Sequence, residues 1–103
     1  MAKISIDPNP TFSAQVPIPV HGGDPVMVGF TFKHRTLDEM AEWVGSRSGK
    51  KDAEAVLDMV VGWDFAEEFT PEAVARLLQK RIGASLSIFT VYTREIYQAK
   101  LKN

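Results

Sequence analysis

From Ile4 to Val20 the apolar residues fall mostly on even numbers: Ile4, Ile6, Phe12, Ala14, Val16, Ile18 and Val20. Polar residues and prolines fill many of the odd positions between them. A period of two is the signature of a half-buried strand. Pro17 and Pro19 share the outward parity and cannot donate to a ladder, which suggests an edge strand with one side open. Asp7-Pro8-Asn9-Pro10 reads as an irregular lead-in. His21-Gly22-Gly23-Asp24-Pro25 then reads as a turn. Alternation resumes at Val26, Val28, Phe30 and Phe32, so the pattern predicts an antiparallel hairpin of residues 12–20 with 26–34.

After Arg35 the period changes. Thr36 and Glu39 form a T-x-x-E capping box, and Leu37, Met40, Ala41 and Val44 follow at helical spacing. Residues 45–51 (GSRSGKK) read as a polar loop. Asp52 is the expected cap of a second helix, with Ala53, Val56, Leu57 and Val60 on its apolar face and Gly62 at its end. Thr70-Pro71-Glu72 is a third start signal: an N-cap, a proline at N1 and an acid at the positive end of the dipole. Val74, Leu77, Leu78 and Ile82 give that helix its face, and Gly83 ends it. A last helix of about 85–101 carries Leu86, Ile88, Phe89, Tyr92, Ile96 and Tyr97, with Lys100 and Lys102 favouring its C-terminus. The expected architecture is α+β, an N-terminal β-hairpin followed by a bundle of about four α-helices. It is expected to form a single domain over residues 1–103, with 1–35 as the strand region and 36–103 as the helical region.

Composition narrows the function classes. The chain has 103 residues, of which 45% are hydrophobic and 24% charged, an ordinary globular balance. Without cysteine there is no disulfide framework, zinc-thiolate site or thiol nucleophile. The first ten residues lack the apolar region of a signal peptide, and no run approaches the ~18 apolar residues of a membrane span. The net charge of −1 conceals an asymmetry. Residues 1–51 sum to +1, residues 52–75 carry seven acids and no base, and residues 76–103 carry six bases and one acid. An acidic middle and a basic end can serve self-association or a charged partner, or simply coat solvated helix faces.

Candidate chemistry is sparse. His21 and His34 lack the i, i+4 partner of a metal site. Asp64, Glu67 and Glu68 do not have the spacing of a calcium loop. The 45–50 run lacks the P-loop spacing and does not follow a strand. Arg76, Lys80, Arg81 and Arg94 offer a basic side, yet a sequence pI near 6.1 does not fit a dedicated nucleic-acid binder. The reading of the residues alone is a small interaction protein with no catalytic residues, metal or cofactor. The segment VVGWDFAEEFTPEAV, residues 60–74, is then either a packed junction between helices or a recognition surface. Trp63 and Phe69 are its expected keystones, and Asp64, Glu67 and Glu68 are expected to stay in water.

The C-terminal half carries a resemblance. Val60-Val61-Gly62-Trp63-Asp64, Phe69-Thr70-Pro71-Glu72-Ala73-Val74, Leu77-Leu78 and Tyr92 follow one another in a pattern similar to that of the tail assembly chaperones of long-tailed bacteriophages. Phe30-Thr31-Phe32-Lys33 before Thr36-Leu37 resembles the family's strand-to-helix step, so the likeness covers residues 26–103. It departs at Ile82-Gly83-Ala84, where the family often has a proline. The resemblance implies a non-enzymatic protein of the host cytoplasm, absent from the finished virion. It would bind the tape measure protein, keep it soluble and help recruit tail tube subunits. The short chain would correspond to the shorter of two frameshift-related forms. Trp63, Asp64, Phe69 and Thr70 fall in the matching motifs, and Arg76, Lys80, Arg81 and Arg94 are the candidate contact residues. A small phage or bacterial protein-binding regulator is the alternative.

Overall fold

A computed structural model describes residues 5–46 and 49–97. Two strands, β1 (Thr11–Ile18) and β2 (Val26–Lys33), form the expected hairpin. They pair antiparallel in full register from Thr11 opposite Lys33 to Ile18 opposite Val26. The His34 N–H donates to the Pro10 carbonyl at 2.9 Å, which makes the even positions of β1 the ones that exchange hydrogen bonds with β2. Pro17 therefore turns its missing donor to the open edge and removes no ladder bond. The strand is shorter than the alternation suggested: Ile6 is 98% exposed, and Ile4 lies outside the described residues.

The helices are α1 (Leu37–Ser46) and α2 (Asp52–Met59), then α3 (Pro71–Lys80) and α4 (Ala84–Tyr97). Between the second and third lies a further strand, β3 (Val60–Trp63), so the sheet has three antiparallel strands in the order β1-β2-β3. The expected second helix running through Val60 to a Gly62 cap is corrected here. The helix stops at Met59, and Gly62 pairs with Thr31 inside the strand. Phe32 faces Val60 and Thr31 faces Gly62, so Val61 is the extra residue of a bulge. That bulge reconciles the sequence with the pleat. Val60 and Trp63 are three residues apart, yet both turn toward the helices, as a regular strand would not allow. The Asp64 N–H continues the ladder to the Gly29 carbonyl at 2.9 Å. Its carboxylate lies over Gly29, where a Cβ would collide with it.

The core lies between the even face of the sheet and the helices. Val16, Ile18, Phe30 and Phe32 meet Met40, Val56, Met59, Val60, Val74, Ile88, Val91 and Tyr92, all buried. Aromatic rings link its two ends: Phe12 stacks on Phe32 and Tyr92, and Phe30 meets Trp63 and Phe65 edge-on. The α3 start is as read: the Ala73 N–H donates to Thr70 Oγ1 at 3.0 Å, with Pro71 at N1. The T-x-x-E box also closes, with the Thr36 N–H donating to Glu39 at 2.8 Å and the Glu39 N–H to Thr36 Oγ1 at 3.2 Å. These bonds hold the Glu39 carboxyl below its usual range.

Other local expectations shift. The α2 N-cap is Lys51, whose N–H donates to Glu54 at 3.5 Å, and Asp52 is the first helical residue. The α1 face expected to be core is exposed at Leu37, Ala41 and Val44; only Met40 of that set is buried, joined by Trp43. Ile82 falls beyond the end of α3, and both it and Leu86 are exposed. Gly83 adopts a φ of +96° at the turn into α4, a conformation suited to glycine. Tyr97 is the last described residue of α4, so Lys100 and Lys102 lie outside the described residues.

Candidate functional site

Residues 63–69 leave β3, turn, and enter α3 through the Thr70 cap. Three aromatic rings fix this turn. Trp63 meets Phe65 edge-on at 5.0 Å between centroids and Phe69 at 5.1 Å, while its indole N–H donates to the Glu67 carbonyl at 2.8 Å. The rings are half-buried, and Asp64, Glu67 and Glu68 are exposed, as the sequence suggested. The stretch is thus a packed junction, but it is also one wall of a surface groove.

That groove has a volume of 370 Å³. Trp63, Phe65 and Glu67 line one side; Ala73, Arg76, Leu77 and Lys80, with Arg81, line the other. Positions 73, 76, 77 and 80 are spaced i, i+3, i+4 and i+7, one face of α3. The floor is apolar, from Trp63, Phe65, Ala73 and Leu77. The rim is mainly basic, with Arg76, Lys80 and Arg81 beside the Glu67 carboxylate. Arg76 reaches Glu67 at 3.5 Å, an exposed pair of small energetic weight. Lys80 and Arg81 form no ion pair among the described residues.

Four of the eight sequence candidates, Trp63, Arg76, Lys80 and Arg81, therefore converge on one surface. Phe69 and Thr70 support it from behind, as packing partner of Trp63 and cap of α3. Asp64 lies apart, over Gly29. Arg94 is also elsewhere, on α4, 3.6 Å from Glu95. Leu77 and Phe65 were legible only as core or junction residues, because spacing does not say that a helix face will border a groove.

A second feature escaped the sequence reading. Trp43 anchors α1: its ring lies edge-on to Tyr92 at 5.5 Å and under the Arg35 guanidinium at 4.9 Å. Its indole N–H points to Asp58 Oδ2 at 3.4 Å, and Lys50 Nζ is 2.6 Å from the same oxygen. Burial pushes the Asp58 carboxyl up, but the Lys50 and Trp43 hydrogen bonds outweigh it and the pKa falls below its usual value. Burial raises the Tyr92 phenol, against the pull of the Arg35 guanidinium that donates to its oxygen at 2.9 Å.

An open apolar floor under a mainly basic rim suits the capture of a protein segment, and the α+β fold holds it on a strand–helix junction. The fold and groove together define a small α+β protein with an open groove at a strand–helix junction. A model of the phage tail assembly chaperone family matches residues 1–103, and the chain belongs to that family. Comparisons with curated proteins and with solved structures give no match. Family membership gives the protein a part in phage tail assembly within the host and protein partners in the tail. Among the described residues no helix is long and apolar enough to cross a membrane.

Proposed function

We propose that the protein is a non-catalytic chaperone that binds the tape measure protein through the Trp63–α3 groove and helps recruit tail tube subunits around it. Residues 1–103 act as one domain, need no cofactor or metal, and bind neither nucleic acid nor membrane. The protein works in the host cytoplasm and leaves before the virion is complete. The carrying observation is the open, aromatic-floored groove on a chain that the tail assembly chaperone family model matches over residues 1–103. A long helical protein exposes apolar stripes that aggregate unless covered. A helix laid in a groove is covered by such contacts at i, i+3 and i+4 spacing.

Co-expression with the tape measure protein tests the reading. The native chain is expected to raise the soluble yield of tape measure severalfold, and Leu77→Asp to abolish that gain. A tape measure that stays insoluble beside abundant, folded native chain refutes it. Solubilisation of unrelated proteins, with no effect on tape measure, points instead to a regulator with another partner.

A further inference from the structure

The Trp63–α3 groove is uneven in charge. Three bases and one acid stand around its apolar floor. The acid, Glu67, lies 3.5 Å from Arg76, and both side chains are exposed, so the contact is long and of small weight. Asp64, Glu68 and Glu72 are close in sequence, yet none of them lines the groove. Lys80 and Arg81 are exposed and form no ion pair among the described residues. Part of their charge complements the C-terminal end of α3, but a helix end presents only about half a negative charge. Two cations exceed it. Arg76 and Lys80 also stand i, i+4 on one face, a like-charge spacing that weakens a helix. The fold thus gathers positive charge beside an apolar floor and gives it one weak internal partner.

A helix seated on that floor presents apolar side chains at i, i+3 or i+4, and i+7. The α3 wall from Ala73 to Lys80 is ~10 Å long, about two helical turns, and Arg76 and Lys80 are ~6 Å apart along it. Carboxylates one turn apart on the flank of an incoming helix match that spacing. A helix with basic flanks meets repulsion, and one with neutral flanks leaves the rim unpaired. We propose that the groove selects amphipathic helices whose apolar stripe is flanked by acids spaced i, i+4. One acid of the ligand takes the place of Glu67 at Arg76, and the next pairs with Lys80 or Arg81. An arginine accepts such an exchange well, because its planar fork binds a carboxylate through two parallel hydrogen bonds. Glu67 is a placeholder in this arrangement. Its backbone carbonyl holds the Trp63 indole N–H at 2.8 Å, so its carboxylate leaves Arg76 without disturbing the floor. The inference rests on the reading that the groove captures helical tape measure segments, and it states which segments are taken: those with acidic flanks.

Two labelled peptides of ~16 residues, long enough to populate a helix, test this by fluorescence anisotropy with the full chain. They share one leucine stripe and differ only in its flanks, glutamate at i, i+4 in one and lysine in the other. Each exposed ion pair is weak, but several act together and the lysine peptide meets repulsion instead, so the glutamate peptide is expected to bind about tenfold tighter or more at ~0.1 M salt. The preference should shrink at ~1 M, where the screening length falls from ~10 to ~3 Å. Glu67→Gln, which removes the placeholder, should tighten the glutamate peptide severalfold. A chain with Lys80→Glu and Arg81→Glu should reverse the preference, and its binding of the lysine peptide shows that it is folded. Equal binding of both peptides by the native chain overturns the selection, as does a double variant that keeps the native order or a native chain that binds neither peptide. Single-stranded DNA that displaces the glutamate peptide as well as free peptide does also overturns it, and makes the rim a general polyanion site. Co-expression with tape measure separates this failure from that of the capture reading. A solubility gain lost with Leu77→Asp but kept with the double variant removes only the acidic selection, whereas a gain that survives Leu77→Asp removes the groove as the point of capture.

Discussion

The two tryptophans carry different burdens. Trp43 is 5% exposed and contacts Tyr92, Phe89, Arg35 and Asp58. Truncating it to alanine should destabilise the fold by about 3–5 kcal/mol, the range for a buried large aromatic. Trp63 is only half-buried, so Trp63→Ala should lose nearer ~2 kcal/mol, with partner binding lost as well. Urea titration of both variants, read by circular dichroism, checks the order; a larger loss at Trp63 contradicts it. The sequence pointed to Trp63 through its motif and passed over Trp43. In a ten-residue helix the spacing 37, 40, 41, 44 is a complete apolar template, and Trp43 stands beside it. Packing chose the Met40–Trp43 edge because the larger ring buries more area against Tyr92 and Phe89. That choice left the better-spaced stripe in water.

Among elements, the hairpin and the α3 start were legible because their signals are local: alternation around a Gly-Gly turn, and Thr-Pro-Glu. Thr70→Ala should cost about 1 kcal/mol, the usual value of an N-cap, read as a lower urea midpoint with unchanged slope. The strand β3 was not legible. It follows α2 without a turn residue, is four residues long, and its alternation is broken by the bulge at Val61. Only pairing with β2, some thirty residues earlier, makes it a strand. The link between α1 and α2 has a pH signature. Asp58 has a folded pKa below its unfolded value of 3.8. Its contribution is therefore fully present above about pH 4 and is lost as pH falls through the lower folded value. Asp58→Asn should lower stability at neutral pH and flatten the acid limb below pH ~4. An unchanged acid limb would mean that other carboxylates dominate there.

At the scale of the whole molecule, the charge asymmetry along the chain does not become two oppositely charged ends. The bases at 76, 80 and 81 gather on the groove, whereas Arg94 does not. The acid that meets them there is Glu67, 3.5 Å from Arg76 and itself part of the acidic 52–75 segment. A linear sum cannot supply that correspondence, because it depends on which helix face the core leaves free. The radius of gyration, 14.6 Å, exceeds the ~13 Å of a compact chain this long, and the extents of 46 × 33 × 24 Å leave room for separate surfaces. The two tryptophans can report on those surfaces independently. A Trp43→Phe chain keeps only Trp63, beside the groove; a Trp63→Phe chain keeps only Trp43, in the core. Occupancy of the groove removes water from the Trp63 indole. Emission of the Trp43→Phe chain should move to shorter wavelength, and its quenching by acrylamide should fall, as tape measure segment is added. The Trp63→Phe chain should change little in either respect, since Trp43 is already shielded. A response confined to Trp43 would place the contact on the α1 anchor and exclude the groove as the point of capture.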